Sequence, residues 1–577
     1  PLTARAPAKP DPDLGQIVAF DGVRTHFHPE PEMPATDITL QSLTPYVREP
    51  DTAANRVKYL PRQIAIAMLN RRFSELAKKE DAPFSQASAG VSEDYNFLRD
   101  ASVTVVCKPE QWQSALAVGE QELRRALEHG FQAPELHEII ASYTNSLEQS
   151  VKTASTRRSG GLADELADSI VDREVFTTPE VDRAIYQPAL DQVTTGDCLK
   201  ALRAAFSAPG LYVMVTGNAK IPGNADNAIA SAYTRSRAVP VTAPAAQTEN
   251  KWAYGDLGAP GAIAKRSHID DLDITLVEFA NGVRLNLKKT DFEAGRISLR
   301  VRVGNGSITQ PLNQPGLDAI AGATFTPGGL GQHSADDLRR INAGKNVGVR
   351  FNPGNDAFGF DGGTTPGDLL YELQLLTAYL TDPGLRPESL RQAQKGLEQM
   401  YLGFEHTADG PMATEVASLL ASGDPRFGIP PKEIMMARNL DEVRAWLTPQ
   451  FAKGALEIAI VGDLDLEATI KAVAQTLGTL PKREAKPELK ELRHVSFPSQ
   501  PFTKSYAIAS EIPKGNVYVY WPTTDGTDVR RTRRLTLLSN VLNDRLRVKI
   551  REEIGGSYSP RAGSSASETF PDYGYFQ

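Results

Sequence analysis

Cysteine is scarce in this chain: Cys107 and Cys198 are the two thiols in 577 residues. Two thiols build neither a zinc ribbon nor a disulfide framework. Cys107 follows the apolar run Val103-Thr104-Val105-Val106 and reads as a buried free thiol. The sequence alone leaves open whether it pairs with Cys198. Histidine is also sparse, at eight residues. None stands in His-x-x-Glu-His, the spacing that sets two imidazoles and a general base on one helical turn around a zinc-bound water. His137-Glu138 comes nearest, but Ala141 occupies the second ligand position. No stretch approaches the roughly 18 apolar residues of a membrane span. Positive charge is not in excess either. The net charge is -8, so the chain has no electrostatic reason to bind nucleic acid. The basic block Arg530-Arg531-Thr532-Arg533-Arg534 is short and reads as a solvated helix face.

What the chain does have is internal repetition. Phe20-Asp21-Gly22-Val23-Arg24 recurs as Phe279-Ala280-Asn281-Gly282-Val283-Arg284. Each copy precedes alternating residues, and Ile297-Ser298-Leu299-Arg300-Val301-Arg302-Val303 alternates without a miss. That is the period of a half-buried strand, and both copies are expected to form antiparallel hairpins. Leu211-Tyr212-Val213-Met214-Val215-Thr216-Gly217 recurs as Leu456-Glu457-Ile458-Ala459-Ile460-Val461-Gly462, a buried strand ending at Gly. Asp465 is the expected N-cap of a helix after the later copy. Leu69-Asn70-Arg71-Arg72-Phe73 matches Leu542-Asn543-Asp544-Arg545-Leu546. Leu535, Leu538, Leu542, Leu546 and Ile550 form an apolar stripe at helical spacing and read as core.

Helices are expected over 109–129, 133–153 and 387–406. Strands followed by helix pairs predict an α+β fold of tandem homologous domains, each an antiparallel-rich sheet covered by helices on one face. Segments 16–237 and 274–481 should be two copies of one fold. A stretch rich in Pro, Ala and Gly, and another rich in Lys, Glu and Pro, divide the chain. The expected organisation is a domain over 1–240, a linker over 241–268, a domain over 269–483 and the start of another over 484–577. The beginning at Pro1, and the ending at Gln577 inside what reads as an unfinished strand, are taken as truncations.

Ile550-Arg551-Glu552-Glu553-Ile554-Gly555-Gly556-Ser557-Tyr558-Ser559 resembles the pitrilysin/insulinase family of zinc peptidases. Members of that family carry a helix ending in Arg, then Gly, and a Tyr seven residues after the Arg. Ile460-Val461-Gly462-Asp463 resembles the family's domain-closing strand. Trp252-Ala253-Tyr254-Gly255-Asp256-Leu257-Gly258 resembles the linker of its bacterial four-domain members. The resemblance implies four homologous domains in two facing halves. Zinc sits in the first, and an Arg–Tyr pair comes from the last. This chain then runs from the second domain into the fourth, with Arg551 and Tyr558 as the expected catalytic pair.

The resemblance also locates what is missing. Gly316-Leu317-Asp318-Ala319-Ile320-Ala321-Gly322-Ala323 aligns with the zinc helix, so Ala319 and Ala323 stand at the ligand positions and Gly322 at the base. The third domain therefore reads as a degenerate copy, and Glu398 as a surface carboxylate. His26 and His28 share a strand face but read as solvated edge residues. Lys78-Lys79-Glu80-Asp81-Ala82-Pro83-Phe84 is a degenerate Arg–Tyr segment without a Tyr. No metal is expected on this chain, and zinc is expected in a missing N-terminal domain. The implied function is the C-terminal portion of a zinc endopeptidase that degrades peptides or small unfolded proteins inside an enclosed cavity. The alternative is a non-catalytic partner subunit of a zinc-bearing chain. The expected partners are peptide substrates and that domain or chain. A bacterial periplasmic or other extracytoplasmic setting is suggested by the resemblance alone.

Overall fold

The computed structural model describes residues 13–246 and 250–577. They form two compact units, divided between Glu249 and Asn250. No helix among the described residues is long and apolar enough to cross a membrane.

The first unit holds five strands: β1 (Gly22–Pro29), β2 (Thr36–Pro45), β3 (Gln86–Asp94), β4 (Leu98–Cys107) and β5 (Gly210–Gly217). Their order in the sheet is β1-β5-β2-β4-β3. β1 runs parallel to β5, and the other neighbours are antiparallel. The helix Leu60–Ala77 links β2 to β3, and Trp112–His129, Ala133–Thr153 and Thr195–Ala205 lie between β4 and β5. Ile38, Leu40, Val103, Val105, Val213 and Val215 share one core with Ile64, Met68, Leu69 and Phe73 of the Leu60–Ala77 helix. Cys107 and Cys198 are both in that core and both free. Burial pushes each thiol up to about 12, so neither is a ready nucleophile.

The second unit holds a seven-stranded sheet: β6 (Ile263–Ile269), β7 (Ile274–Phe279), β8 (Arg284–Lys289), β9 (Ile297–Val303), β10 (Val349–Pro353), β11 (Phe358–Thr364) and β12 (Leu456–Gly462). The order is β10-β11-β9-β12-β8-β7-β6. With β6 and β7 set aside, this repeats the first unit strand for strand, including the parallel pairing of β12 with β8. The alternation read along 297–303 is real: Ile297, Leu299, Val301 and Val303 are buried, and the residues between them are exposed. Asp465 caps the next helix through a bond from the Ala468 N–H at 2.8 Å.

The closing glycines of the two sheets share one steric constraint. Gly217 (φ +123°) and Gly462 (φ +142°) lie at the same place in the two sheets. A Cβ on Gly217 would meet the Ala35 carbonyl oxygen at 2.4 Å, and one on Gly462 the Arg296 carbonyl oxygen at 2.2 Å. Each Gly carbonyl accepts the N–H just beyond the parallel neighbour, from Glu30 at 2.9 Å and from Thr290 at 2.8 Å.

Two expectations are corrected. The hairpins expected after Gly22 and Gly282 do not form between successive strands, because β5 inserts between β1 and β2 and β12 between β8 and β9. Gly282 instead turns the chain from β7 into β8. The late apolar strand takes an interior place in each sheet, which local patterning cannot foretell. The carbonyls of Val241, Thr242 and Pro244 bond to His129, Arg125 and Gln132, and Ile263–Ile269 is an edge strand of the second sheet. Finally, the stripe on the helix Val529–Leu546 is not core here. Leu535, Leu542, Leu546 and Ile550 are half-buried, and Leu538 is exposed. Its counterpart Leu60–Ala77 is sheathed by β3, Ala133–Thr153 and Thr195–Ala205, whereas Val529–Leu546 is met chiefly by the strand Ser564–Ala566 and the helical stretch that continues it.

The segment after 483 adds a three-stranded sheet, β13 (Trp521–Thr523), β14 (Ser564–Ala566) and β15 (Gly574–Phe576), in the order β13-β15-β14. Phe570 and Tyr573 join Ile308, Ala421 and Val495 in a small core of the second unit. Arg426 lies over the Phe570 ring and pairs with Asp424 at 2.6 Å.

Candidate functional site

Val529–Leu546 passes directly into a widened, π-type helical stretch, Arg547–Ile554. Gly555 ends it in the left-handed region (φ +68°), where a residue without a Cβ is unstrained. The Ile550 carbonyl accepts from both Gly555 and Gly556, the latter at 2.9 Å, so one carbonyl of the last helical turn is satisfied as the chain turns. Residues 551–559 are all exposed.

Across this turn the Arg551 guanidinium carbon lies 3.9 Å from the centroid of the Tyr558 ring. Such a cation–π contact is worth about 0.5–1 kcal/mol at an exposed site. Tyr558 is 76% exposed, which excludes a core-packing role for the ring in this chain. The nearby acids are engaged elsewhere: Glu552 pairs with Arg547, and Glu553 with Lys549 at 2.5 Å. The turn thus presents a hydroxyl donor and a fork of guanidinium donors side by side, chemistry suited to a carbonyl oxygen that gains charge.

The zinc-aligned positions offer no such chemistry. Ala319 and Ala323 are exposed on the helix Leu317–Thr324, and Gly322 is half-buried beside Pro353. Methyl groups and a hydrogen can neither ligate zinc nor take a proton from water, so this helix does not fit a metal. His26 and His28 point to the same exposed face of β1, His137 is exposed, and Glu398 is half-buried on the helix Pro387–Glu405. Among the described residues no three His, Cys, Asp or Glu side chains gather as a metal site. In the Lys78–Phe84 segment, Phe84 is buried in the first unit's core.

The sequence reading missed several polar arrangements. Asn70 and Asn543 each clamp a downstream alanine, as described below. Glu372 is fully buried, and burial pushes its carboxyl up to about 7. His333 is buried and receives the Ala253 N–H. A cleft of about 500 Å³ runs between the exposed face of β9–β11 and residues 565–574. The Arg300–Asp361 and Arg302–Asp356 pairs, at 2.7 and 2.6 Å, line it together with Glu568. The twin Leu-Asn motifs carried a signal for the clamps. Nothing local marked Glu372 or His333, whose surroundings come from distant chain.

Residues 439–577 match the family described as "Peptidase M16 inactive domain". Among curated proteins, the chain is 21% identical over 462 residues to the chloroplastic stromal processing peptidase of Arabidopsis thaliana, covering 73% of this chain and 36% of that protein. It is 21% identical over 313 residues to the probable zinc protease PqqL of Escherichia coli, covering 52% of this chain and 33% of PqqL. The chain therefore spans roughly a third of the length of these relatives. Among solved structures, the ferredoxin protease FusC in complex with Arabidopsis ferredoxin gives a TM-score of 0.60 at 12% identity, over 99% of this chain and 63% of FusC. Pitrilysin gives 0.50 at 13% identity, over 96% of this chain and 58% of pitrilysin. Residues 439–577 thus match an M16 domain, and the duplicated strand order accompanies a likeness of the whole chain to peptidases of the M16, or pitrilysin/insulinase, family.

Proposed function

We propose that this chain is the portion of a zinc endopeptidase that binds substrate and stabilises the transition state, acting on peptides or small unfolded proteins within an enclosed cavity. Zinc, with the water it activates, belongs to a domain or partner chain bearing His-x-x-Glu-His. The observation that carries the reading is the exposed, mutually stacked pair Arg551 and Tyr558 on a glycine-closed turn. When water adds to a peptide carbonyl, negative charge builds on its oxygen. The Tyr558 hydroxyl donates a hydrogen bond to that oxygen. Arg551 donates to a neighbouring substrate carbonyl, its guanidinium plane held against the ring. In this reading the domains over 1–240 and 269–483 form walls rather than a second active centre.

The test uses the protein together with its zinc-bearing domain. Tyr558→Phe removes one hydroxyl and keeps the ring for Arg551. Loss of one such donor typically costs about 100- to 1000-fold in rate. The expected result is a kcat lower on that order, with zinc content and folding unchanged. Wild-type turnover in Tyr558→Phe sinks the assignment.

A further inference from the structure

The Asn543 side chain reaches from the interior of Val529–Leu546 to a single downstream residue. Its Oδ1 accepts from the Ala562 N–H at 2.5 Å, and its Nδ2 donates to the Ala562 carbonyl at 3.1 Å. The first unit repeats this geometry. Asn70 Oδ1 accepts from the Ala89 N–H at 2.6 Å, and its Nδ2 donates to the Ala89 carbonyl at 3.0 Å. Both clamps span 19 residues. The side-chain amide imitates a neighbouring strand: one donor and one acceptor engage both polar groups of one backbone residue.

The two clamps enclose different loops. Eight and fifteen residues after Asn70 stand Lys78 and Ser85; at the same offsets from Asn543 stand Arg551 and Tyr558. The enclosed loop of the first unit is tied down by the buried side chains of Ala82 and Phe84. The loop over 551–559 has no buried side chain. Apart from the contact of Arg551 with the Tyr558 ring and the ion pairs of Glu552 and Glu553, its path is held at its two ends. One is the helix that stops at Gly555. The other is Ala562, beside which Gly563 and Gln577 exchange hydrogen bonds at 2.9 and 2.8 Å. Asn543 is the group that ties one end directly to the other.

We propose that Asn543 is a positioning residue for the Arg551–Tyr558 turn. It fixes the distance between helix and strand and so aims the Tyr558 hydroxyl, without touching substrate. This role rests on the oxyanion assignment made above for Tyr558. A small misplacement of a reacting group is enough to cost about 100-fold in rate.

Two measurements test it. Backbone amide exchange is read on the chain itself over 555–562, in wild type, Asn543→Ala, Asn543→Asp and the control Asn70→Ala. Exchange is expected to rise in Asn543→Ala. It should rise less in Asn543→Asp, which keeps the acceptor for the Ala562 N–H, and stay unchanged in Asn70→Ala. Unchanged exchange in Asn543→Ala overturns the proposal. Should Asn543→Ala fail to fold, Asn543→Asp carries the same comparison. Turnover is then read with the zinc-bearing domain present, as a double-mutant cycle with Tyr558→Phe. Asn543→Ala is expected to lower kcat by about 10- to 100-fold where Tyr558 is intact and to add little in the protein that already carries Tyr558→Phe. Equal losses in both backgrounds refute positioning through Tyr558. A full Tyr558→Phe effect beside a silent Asn543→Ala sinks the positioning role alone, whereas a silent Tyr558→Phe sinks the oxyanion reading itself.

Discussion

The Ala253 N–H donates to Nε2 of His333 at 3.1 Å. That bond requires a lone pair on Nε2, so the imidazole is neutral and carries its proton on Nδ1, a buried atom without a hydrogen-bond partner among the described residues. The contact belongs to a buckle. Trp252 stacks on His333 with centroids 5.6 Å apart, Tyr254 meets it edge-on, and the Tyr254 hydroxyl donates to Asp382 at 2.6 Å. The chain just after Asn250 is thereby strapped to the second unit.

Burial lowers the His333 pKa, Arg386 lowers it further, and Asp337 opposes both. A histidine is ordinarily half-protonated near pH 6.5. With the folded value below that of the unfolded chain, the unfolded state binds more protons in the window between them, so stability is full above about pH 6.5 and falls as the pH drops through the window. Protonation also removes the acceptor for Ala253. Protection of the Ala253 amide, relative to its intrinsic exchange rate, is expected to fall as the pH drops below about 6.5, and this fall should vanish in His333→Phe, in which the amide is unprotected at every pH. Wild-type protection that stays constant down to the pH at which the whole protein unfolds would contradict it.

Glu372 is the opposite case. Its Oε2 accepts from the Gly348 N–H at 2.9 Å, while Oε1 is buried without a partner among the described residues. The site exists because Gly362 has no side chain: a Cβ there would lie 2.3 Å from Oε1. Burial lifts the carboxyl to about 7, with the Gly348 bond opposing and Asp368 reinforcing. Here the folded state holds the proton more tightly, so stability is greatest below the unfolded value near pH 4.3 and is lost as pH rises through about 7. Glu372→Gln keeps the shape without the charge. It should match wild type near pH 5 and exceed it above pH 7, with a flatter dependence of the denaturation midpoint on pH. Gly362→Ala should cost about 1–3 kcal/mol by forcing the carboxyl aside. Parallel pH profiles for wild type and Glu372→Gln would mean that the carboxyl does not titrate in this range.

Much of this fold was legible because its signals are local. Alternation along 297–303 gave a strand face, and the Gly217 and Gly462 strand ends recur because each glycine passes a carbonyl oxygen too closely for a Cβ. Strand neighbours were not legible. Nothing near Gly22 says that β5, nearly two hundred residues away, will lie beside β1. The Arg551–Tyr558 turn was found through its motif, and its geometry adds the stacking and the exposure. The Asn543 clamp escaped because a motif match records which residue recurs, not what its amide reaches. The apolar stripe of Val529–Leu546 misled for a related reason: helical spacing shows that a face wants cover, and the cover in the first unit comes from helices far downstream.

The helix Leu317–Thr324 allows the metal question to be put directly. Ala319 and Ala323 are one turn apart on an exposed face, and Gly322 has 3.5 Å of clearance to Pro353. Residues four apart on a helix are neighbours, close enough for two imidazoles to share an ion. The purified chain is expected to carry no stoichiometric zinc after dialysis, because methyl groups and a hydrogen stand where donors are needed. The double variant Ala319→His, Ala323→His should gain zinc binding. With only two protein ligands, that binding should be lost to a modest chelator, since a structural site uses four ligands and a catalytic one three plus water. Elemental analysis of both proteins decides. One tightly held zinc per wild-type chain would refute the expectation, and His26 and His28, on one exposed face of β1, would be the first residues to replace. Zinc that binds the double variant no better than wild type would mean that this helix face is less accessible than its exposure indicates.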